Sequence, residues 1–437
     1  MKESTCLTRL THNDIHTVHS FGRSTRVAWL LLFALCTAVL ARPALAGLNQ
    51  WTWTGFTGGV GGALIVDPVT PTTLYAGTLY KGLYKSTNGG ANWTAINTSA
   101  NFVRSLVVDP KTPETLYAGY TGSVYKSSDG GANWNAANTG LTGTFPTINY
   151  TLVVDPVTPA TLYAGSVGFV GGGLSITGGV FKSIDSGANW TAVNVGLTDT
   201  YVYVLALGPT DTLYAGTFGG GVFKSSNGGT SWTAINAGLT DLNIYSLAVN
   251  PLTPTTLYAG TETGGVFKST DSGKNWTAVN SGLTSLRASA LVVDIVTPAT
   301  LYVGTNTGGV FKSTNSGDSW SAINTGLSSS LFVSNLAMAP VTPATLYARV
   351  SDGRSLYAYT FDTTSPPFTF TFTDTIGAAL NTVAASNTFT VASLTAPAAI
   401  SINGGEYSIN GGTYTGSAGT VSNGDTVTVQ VTSSSSY

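Results

Sequence analysis

The 437-residue sequence predicts an all-β fold: a seven-bladed β-propeller over residues 47–362, followed by a small β-sandwich module. Three observations predict this fold. An eight-residue motif, S-x-[DN]-x-G-x-x-W, recurs six times between Ser86 and Trp320. A second motif, T-L-Y-[AV]-[GR], recurs seven times with its tyrosines 42 to 51 residues apart. Only 9% of the residues are charged, and the abundant Thr, Ser, Gly and Asn suit short strands joined by many turns.

Each eight-residue motif is predicted to form a hairpin turn that ends in an anchor. Its Asn or Asp accepts hydrogen bonds from the turn backbone, its Gly supplies a positive φ, and its Trp buries a large flat surface. Because either an amide or a carboxylate is tolerated, we expect a structural role rather than a catalytic one. The Asx and Trp positions are Asn88 and Trp93, Asp129 and Trp134, Asp185 and Trp190, Asn227 and Trp232, Asp271 and Trp276, and Asn315 and Trp320.

Each repeat holds four short strands, which is the content of one propeller blade. A G-x-[VL]-[YF]-K-S strand lies between the Tyr motif and the Trp motif, and an apolar strand with a proline turn precedes the Tyr, as in residues 106–110. Repeats of about 44 residues with four strands are typical of β-propellers. A single sheet of this kind exposes two apolar faces, so the blades are expected to stack around an axis.

The seventh repeat, residues 336 to about 361, lacks both the eight-residue motif and its Trp. The chain start supplies a similar strand, because residues 49–54 read Asn-Gln-Trp-Thr-Trp-Thr. We therefore expect residues around Trp51 to complete the seventh blade and to close the ring.

Residues 1–46 have the pattern of a secretory signal peptide. Arg23 and Arg26 precede a 14-residue apolar run, and Ala44-Leu45-Ala46 has the small-x-small pattern of a cleavage site. The run is short for a bilayer span, so cleavage is expected and an uncleaved anchor is the alternative. The sequence thus predicts a secreted or cell-surface protein with no membrane span after signal cleavage.

Removing that segment restricts the available chemistry. Both cysteines and all three histidines lie before Gly47, which excludes disulfides, thiolate or imidazole nucleophiles, and zinc sites of His or Cys in the remaining chain. From Gly47 onward 13 Lys and Arg face 18 Asp and Glu, a net charge near −5 without a basic stripe. We expect no nucleic-acid partner, no metal and no cofactor.

Residues 363–437 differ in character from the repeats. Residues 363–367 read as a short linker that contains two prolines, and 368–437 alternate apolar and polar residues between Asn-Gly and Gly-Gly turns. This segment resembles an immunoglobulin-like sandwich module of bacterial surface proteins. Since it ends at Tyr437 before the final strands of such a module, we expect it to be truncated or completed at its edge by another element.

The six motifs at blade spacing resemble the Asp-box (BNR-repeat) β-propellers, which include sialidases, sortilin-type receptors, xyloglucan-hydrolysing tandem propellers and photosystem II assembly factors. The resemblance covers about residues 47–361 and implies the fold more than the function, because the motif lies away from the active site in the family's enzymes. The sialidase arginine triad is not carried over. Only four arginines follow Gly47, and the Phe/Tyr-Arg-Ile-Pro start of that family is absent.

The candidate ligand site lies on the propeller face opposite the motifs. Aligning the first strands of the repeats on their common Leu puts seven residues at equivalent places near the axis: Gly62, Arg104, Tyr150, Tyr203, Tyr245, Ser289 and Ser334. Three consecutive tyrosines beside Arg104 predict an aromatic wall for a carbohydrate or a peptide. The alternative is that these tyrosines only fill the space between blades. Loop aromatics expected on the same face are Tyr80, Phe102, Tyr120, Phe145, Tyr201 and Phe218.

An enzyme of this composition would rely on paired carboxylates, which suit glycoside hydrolysis. Asp199 and Asp241 stand at matching places in adjacent repeats, and Glu262 lies on the next loop of the same face. Solvated loop carboxylates explain the same pattern. The preferred interpretation is a non-catalytic binding module for a polysaccharide or an extracellular protein. A glycoside hydrolase and a protein-assembly scaffold are the alternatives.

Two other residue types repeat with the blades. A Lys precedes each motif, and its regular place after Tyr or Phe predicts structural pairing on an exposed strand rather than a basic ring. The Asp of the Asp-Pro pairs at 67, 109 and 155 is expected to cap a turn, since no D-x-D-x-D calcium loop accompanies it.

Overall fold

The structure is a computed structural model. It describes residues 49–59, 62–98, 102–120, 122–141, 149–167, 178–328, 331–339, 345–352 and 355–361, and the segments 383–385, 389–390, 398–400, 406–417, 419–421 and 425–432. The chain divides into two compact units, Arg42–Phe361 and a second unit that contains Asp362–Tyr437. The predicted signal peptide 1–46 and linker 363–367 lie outside the described residues. Among the residues described, no helix is long and apolar enough to span a membrane.

The first unit is built from seven four-stranded antiparallel sheets, as the repeats predict. Each sheet is a propeller blade whose first strand lies innermost. Blade one comprises β2 (Leu64–Val66), β3 (Leu74–Gly77), β4 (Leu83–Ser86) and β5 (Thr94–Asn97); blade two β6 (Ser105–Val108), β7 (Leu116–Tyr120), β8 (Ser123–Ser127) and β9 (Asn135–Ala136); blade three β10 (Asn149–Val154), β11 (Leu162–Val167), β12 (Gly179–Ser183) and β13 (Thr191–Ala192).

The next three blades repeat this order without a break in the chain. Blade four comprises β14 (Val202–Leu207), β15 (Leu213–Thr217), β16 (Val222–Ser225) and β17 (Thr233–Ala234); blade five β18 (Ile244–Val249), β19 (Leu257–Thr261), β20 (Val266–Ser269) and β21 (Thr277–Ala278); blade six β22 (Ala288–Val293), β23 (Leu301–Thr305), β24 (Val310–Ser313) and β25 (Ser321–Ala322).

Blade seven joins the two ends of the propeller. It contains β26 (Val333–Met338), β27 (Thr345–Val350) and β28 (Leu356–Thr360), and β1 (Gln50–Trp53) pairs antiparallel with β28 as its outer strand. The expected ring closure is confirmed. Trp51 takes the place of the missing motif Trp, since its backbone N–H donates to Thr325 O at 2.8 Å and its indole N–H donates to Ile323 O in blade six.

The motif turn has the hydrogen bonds that its sequence predicts. In blade two, the Oδ1 atom of Asp129 accepts from the backbone N–H of Asn133 at 2.8 Å and from the hydroxyl of Ser127 at 2.8 Å. The Ser127 hydroxyl accepts from the Gly131 N–H at 2.9 Å. All six motifs repeat this pattern, and Asn88 serves in blade one as Asp129 does in blade two. The Asx residue is therefore a backbone cap at the hairpin.

Several blades hold the motif turn of the following blade through the Tyr of their T-L-Y motif. The Tyr163 hydroxyl donates to Gly228 O at 3.3 Å, the Tyr258 hydroxyl to Ser316 O at 3.2 Å, and the Tyr347 hydroxyl to Gly89 O at 3.2 Å. The last of these joins blade seven to blade one. The seven tyrosines of this motif are buried, so each ring fills the space between blades, and in these three blades the hydroxyl also positions the neighbouring turn.

The motif tryptophans hold the preceding blade in return. In blade four the Trp232 indole N–H donates to Val193 O at 2.7 Å, and its backbone N–H donates to Val195 O at 2.8 Å. Trp190, Trp232, Trp276 and Trp320 share this arrangement, and each is 4% exposed. Trp93 and Trp134 bond differently from these four. Their indoles are partly buried and donate to the carbonyls of Gly90 and Gly131 in their own turns.

Close approach of the two backbones requires glycine opposite each buried Trp. Gly196 has a φ of +83°, and a Cβ atom there would lie 2.3 Å from Trp232 O. Positive φ and this contact both disfavour any larger residue. The equivalent glycines are Gly140, Gly238, Gly282 and Gly326.

The repeated Lys and Asp residues are structural, as expected. The Lys85 ammonium lies 5.2 Å from the Tyr75 ring centroid and donates to Gly130 O of the next blade at 3.1 Å. Asp109 Oδ1 accepts from the backbone N–H groups of Lys111 and Thr112 at 2.8 and 3.2 Å, which caps the Asp-Pro turn.

The second unit contains a small set of antiparallel strands. They are β29 (Val383–Ala385), β30 (Phe389–Thr390), β31 (Ala398–Ile400), β32 (Glu406–Ile409), β33 (Gly419–Val421) and β34 (Thr426–Thr432). Strand β34 pairs with β29, β30 and β32, and β31 pairs with β33. These sheets are consistent with an additional β module, and the immunoglobulin-like type stays a prediction.

We predict that the motif tryptophans differ in their contribution to stability. Trp232→Ala removes a buried ring between two blades and should lower the free energy of unfolding by about 3–5 kcal/mol. Trp134→Ala removes a partly exposed ring bonded to its own turn and should cost clearly less. Urea denaturation of the two variants measures the difference, and equal losses would contradict the inter-blade role.

We predict that the three motif aspartates make the folded protein less stable in acid. Hydrogen bonds from the Asn four residues later and from the motif Ser lower the pKa of Asp129, Asp185 and Asp271 from 3.8 to about 2. A pKa lower in the folded state contributes stability above about pH 4, and this stability is lost as the pH falls towards about 2.

Changing all three residues to Asn, the residue that blades one, four and six already carry, should flatten this decline. Changing Asn88, Asn227 and Asn315 to Asp should steepen it. Urea denaturation midpoints measured between about pH 7 and about pH 2 test the claim, and parallel pH profiles for the three proteins would refute it.

Candidate functional site

The first strands of the seven blades surround the propeller axis, and the ends where they begin open into a cavity of about 440 Å³. Six of the seven residues that the repeat alignment placed together line it: Gly62, Arg104, Tyr203, Tyr245, Ser289 and Ser334. In blade three Thr151 lines the cavity, and the side chain of the neighbouring Tyr150 lies outside the described residues. Every blade therefore contributes to one site.

Two arginine–tyrosine pairs occupy this cavity. Arg104 Nη2 donates to the Tyr203 hydroxyl at 3.0 Å, and its guanidinium carbon lies 5.6 Å from that ring centroid. Arg287 Nη2 donates to the Tyr245 hydroxyl at 2.8 Å, and its guanidinium lies 4.7 Å from that ring centroid. Each tyrosine thus holds one guanidinium by a hydrogen bond and a cation–π contact.

Sequence reasoning missed Arg287 as a site residue. The alignment took one position from each blade, which in blade six is Ser289, and Arg287 stands two residues earlier. Its long side chain still reaches the cavity. The signal in the sequence that could have pointed to Arg287 is that arginine is scarce after Gly47, where only four occur.

Two of the three tyrosines of the predicted aromatic wall, Tyr203 and Tyr245, do not form one flat surface. The rings of Tyr203 and Tyr245 meet edge to face, with centroids 4.8 Å apart and planes at 70°. Phe218 packs against Tyr245 in the same manner, with centroids 6.0 Å apart. Since arginines lie over both tyrosine rings, these rings orient guanidinium groups more than they offer open faces to a ligand.

Tyr245 also connects the cavity to Glu262. Its hydroxyl donates to Glu262 Oε1 at 3.4 Å, and the Asn243 amide donates to the other carboxylate oxygen at 2.8 Å. Burial raises the pKa of Tyr245 above its usual value, against the opposing effect of Arg287. The hydroxyl therefore stays protonated at neutral pH and keeps its donor.

Asp241 braces a turn. Its Oδ1 accepts from the Asn243 N–H at 3.0 Å, and its Oδ2 accepts from the Thr263 N–H at 2.6 Å and the Gly264 N–H at 3.1 Å. Partial burial acts to raise the pKa of Asp241, and these hydrogen bonds outweigh it and lower the pKa. The carboxylate is ionised at neutral pH and already engaged.

Asp199 stands at the same place in blade four, where its Oδ1 accepts from the Tyr201 N–H at 2.9 Å. Ser285 holds this place in blade six and accepts from the Thr307 hydroxyl at 3.0 Å. A serine can therefore fill the place, which indicates a structural position. Asp199, Asp241 and Glu262 are not among the residues that line the cavity. Their catalytic role stays a prediction.

A second aromatic feature lies beside the cavity. The rings of Tyr80 and Phe102 meet edge to face with centroids 5.1 Å apart, and they are 67% and 38% exposed. Phe102 has a φ of +54°, uncommon for a bulky side chain. Its N–H donates at 2.8 Å to the carbonyl of Leu79, a residue of the cavity lining.

The remaining loop aromatics divide by exposure. Phe218 is 38% exposed, whereas Tyr120 and Tyr201 are buried, so only the first presents apolar surface to solvent. Phe145 lies outside the described residues. Within the part of the chain that the structure describes, no cluster of three or more His, Cys, Asp or Glu side chains could hold a metal ion.

No protein-family profile matches the chain, and no curated protein sequence matches it. Among solved structures it is similar to an ancestral GH74 enzyme, with a TM-score of 0.59 and 21% identity over 72% of this chain and 46% of that one. It is also similar to YCF48 bound to D1 peptide, with a TM-score of 0.52 and 15% identity over 75% of this chain and 100% of that one.

A third similar structure is the extracellular domain of a candidate one-component system from B. thetaiotaomicron, with a TM-score of 0.54 and 15% identity over 71% of this chain and 40% of that one. The chain spans less than half the length of the GH74 enzyme and of this extracellular domain. At these identities the three likenesses show a shared seven-bladed β-propeller fold.

We predict that Asp241 serves stability. Asp241→Ala should remove the cap of the turn at 262–265, lower the free energy of unfolding by about 1–2 kcal/mol, and speed hydrogen exchange at the Thr263 and Gly264 amides. Asp241→Ser, which introduces the residue that blade six carries at this place, should restore part of the protection. Unchanged exchange in Asp241→Ala would show that the carboxylate does not hold this turn.

Proposed function

We propose that the protein is a secreted or cell-surface propeller that binds a glycan or an extracellular protein, without turnover, on the face around its axial cavity. The observation that carries this proposal is the pair of arginine–tyrosine contacts, Arg104 with Tyr203 and Arg287 with Tyr245. Seven blades converge on these groups, so a ligand there meets a pre-organised site.

The engagement of the carboxylates favours binding over hydrolysis. A glycosidase places two carboxyl groups on either side of the scissile bond, about 5–10 Å apart. Here the described residues that line the cavity include neither Asp nor Glu. Asp241 caps a turn, and Glu262 accepts bonds from Asn243 and Tyr245.

Two further observations support export of the protein and the class of its ligand. The signal-peptide pattern of residues 1–46 favours export, and the six motifs favour placement among the Asp-box propellers. Of the proteins with a similar fold, YCF48 is seen with a bound D1 peptide and another is a GH74 enzyme. Peptide and glycan are accordingly the two ligand classes to test.

We predict that Arg104→Ala and Tyr203→Ala each weaken ligand capture severalfold or more, because each removes half of an arginine–tyrosine pair. Purified protein is screened on an array of polysaccharides and in pull-downs of extracellular protein. Lys274→Ala is the matched control, since Lys274 is exposed in the motif turn of blade five. Thermal midpoints close to that of the parent show that the fold is intact.

Equal capture by all of these proteins would place the site elsewhere. Reducing ends released from a polysaccharide by the parent, and not by Glu262→Gln, would replace the binding proposal with a glycoside hydrolase.

A further inference from the structure

The charges in the axial cavity are of one sign. Arg104 and Arg287 line it, and among its described lining residues there is no acidic side chain. This contrasts with the chain after Gly47, whose net charge is near −5. Arg287 is half-buried and Arg104 is exposed, and two cations that line one concave surface together attract an anion more strongly than either does alone.

The hydrogen-bonding groups of the cavity are mainly donors that still have capacity. Arg104 and Arg287 each use Nη2 toward a tyrosine. Each guanidinium carries further N–H donors besides the one that is bonded to the tyrosine. A guanidinium fork held in place by a tyrosine ring suits the two oxygens of a carboxylate.

We infer that the ligand of this face is an acidic polysaccharide, whose sugar carboxylates are bound by Arg104 and Arg287. This inference rests on the proposed function and specifies its ligand class. The hydroxyl group of Ser334 and the amide of Asn335, both in the cavity lining, match the hydroxyl groups of a sugar ring.

The Tyr80–Phe102 pair supplies a place for the next sugar of the polymer. Tyr80 is 67% exposed, and Phe102 packs against it edge to face, so an exposed aromatic side chain is held beside the cavity wall at Leu79. Phe102 keeps a positive φ at an energetic cost, as is common where a side chain must be presented to a ligand. Aromatic faces with nearby polar groups accept the apolar face of a sugar ring.

Titration calorimetry with three probes tests this inference: polygalacturonate, alginate, and polygalacturonate whose carboxyl groups have been reduced to alcohols. The parent protein should bind at least one of the acidic polymers and should bind the reduced polymer about tenfold to a hundredfold more weakly. Added salt should weaken the binding of the acidic polymer.

The same titrations on variants assign the residues. Arg104→Gln, at an exposed position, should weaken binding of the acidic polymer about tenfold, and Tyr80→Ala should weaken it severalfold. Lys274→Gln, in the motif turn of blade five, also removes one exposed positive charge and should leave the affinity unchanged. Thermal midpoints check that each variant is folded.

Three results would overturn the inference in distinguishable ways. Equal affinity for the acidic and the reduced polymer would remove the carboxylate from recognition and leave glycan binding intact. Capture of poly-glutamate, without binding of either polysaccharide, would make the ligand a protein. Failure to bind any glycan or protein probe would overturn the proposed function as well.

Discussion

The structure depends on the contacts between neighbouring blades, most of which involve a motif turn. The T-L-Y tyrosine fills the interface and donates forward to the turn, as Tyr163 does to Gly228 O, and in four blades a motif Trp donates back to the preceding blade. Seven thin sheets are stable because each buries its faces on two neighbours. Trp51 and Tyr347 extend this contact across the two ends of the chain, so the ring closes and an axial cavity exists.

This constraint separates the two faces of the propeller. On the motif face, the repeated residues already form hydrogen bonds and packing contacts in nearly every blade. These are Ser, Asx, Gly, Trp, Tyr and Lys, and few of their polar groups remain to bind a ligand. On the opposite face, the residues that begin the first strands differ from blade to blade, from Gly62 through Arg104 and Tyr203 to Ser289. The repeated residues build the ring, and the variable residues line its axial cavity, where we propose that a ligand binds.

The repeats made the architecture predictable, because their spacing and their turn residues both indicate propeller blades. The Trp51 strand at the start of the propeller supplies the strand that the seventh repeat lacks. The repeats also placed six of the seven aligned residues in one cavity. The alignment could not show the pairing of Arg287 with Tyr245, because that contact joins blades five and six through a residue outside the aligned position. Likewise Trp134 and Trp232 stand at the same place in the same motif. The sequence does not show that the Trp134 indole bonds to its own turn whereas the Trp232 indole bonds to the preceding blade, because this difference depends on packing.

The most direct test of this separation is hydrogen–deuterium exchange of the protein, free and saturated with an acidic polysaccharide that it binds. We predict slower exchange on binding at 78–82, 102–106, 201–204 and 285–289, around the cavity, and unchanged exchange in the motif turns. Protection confined to a motif turn such as 269–276, with none around the cavity, would contradict it.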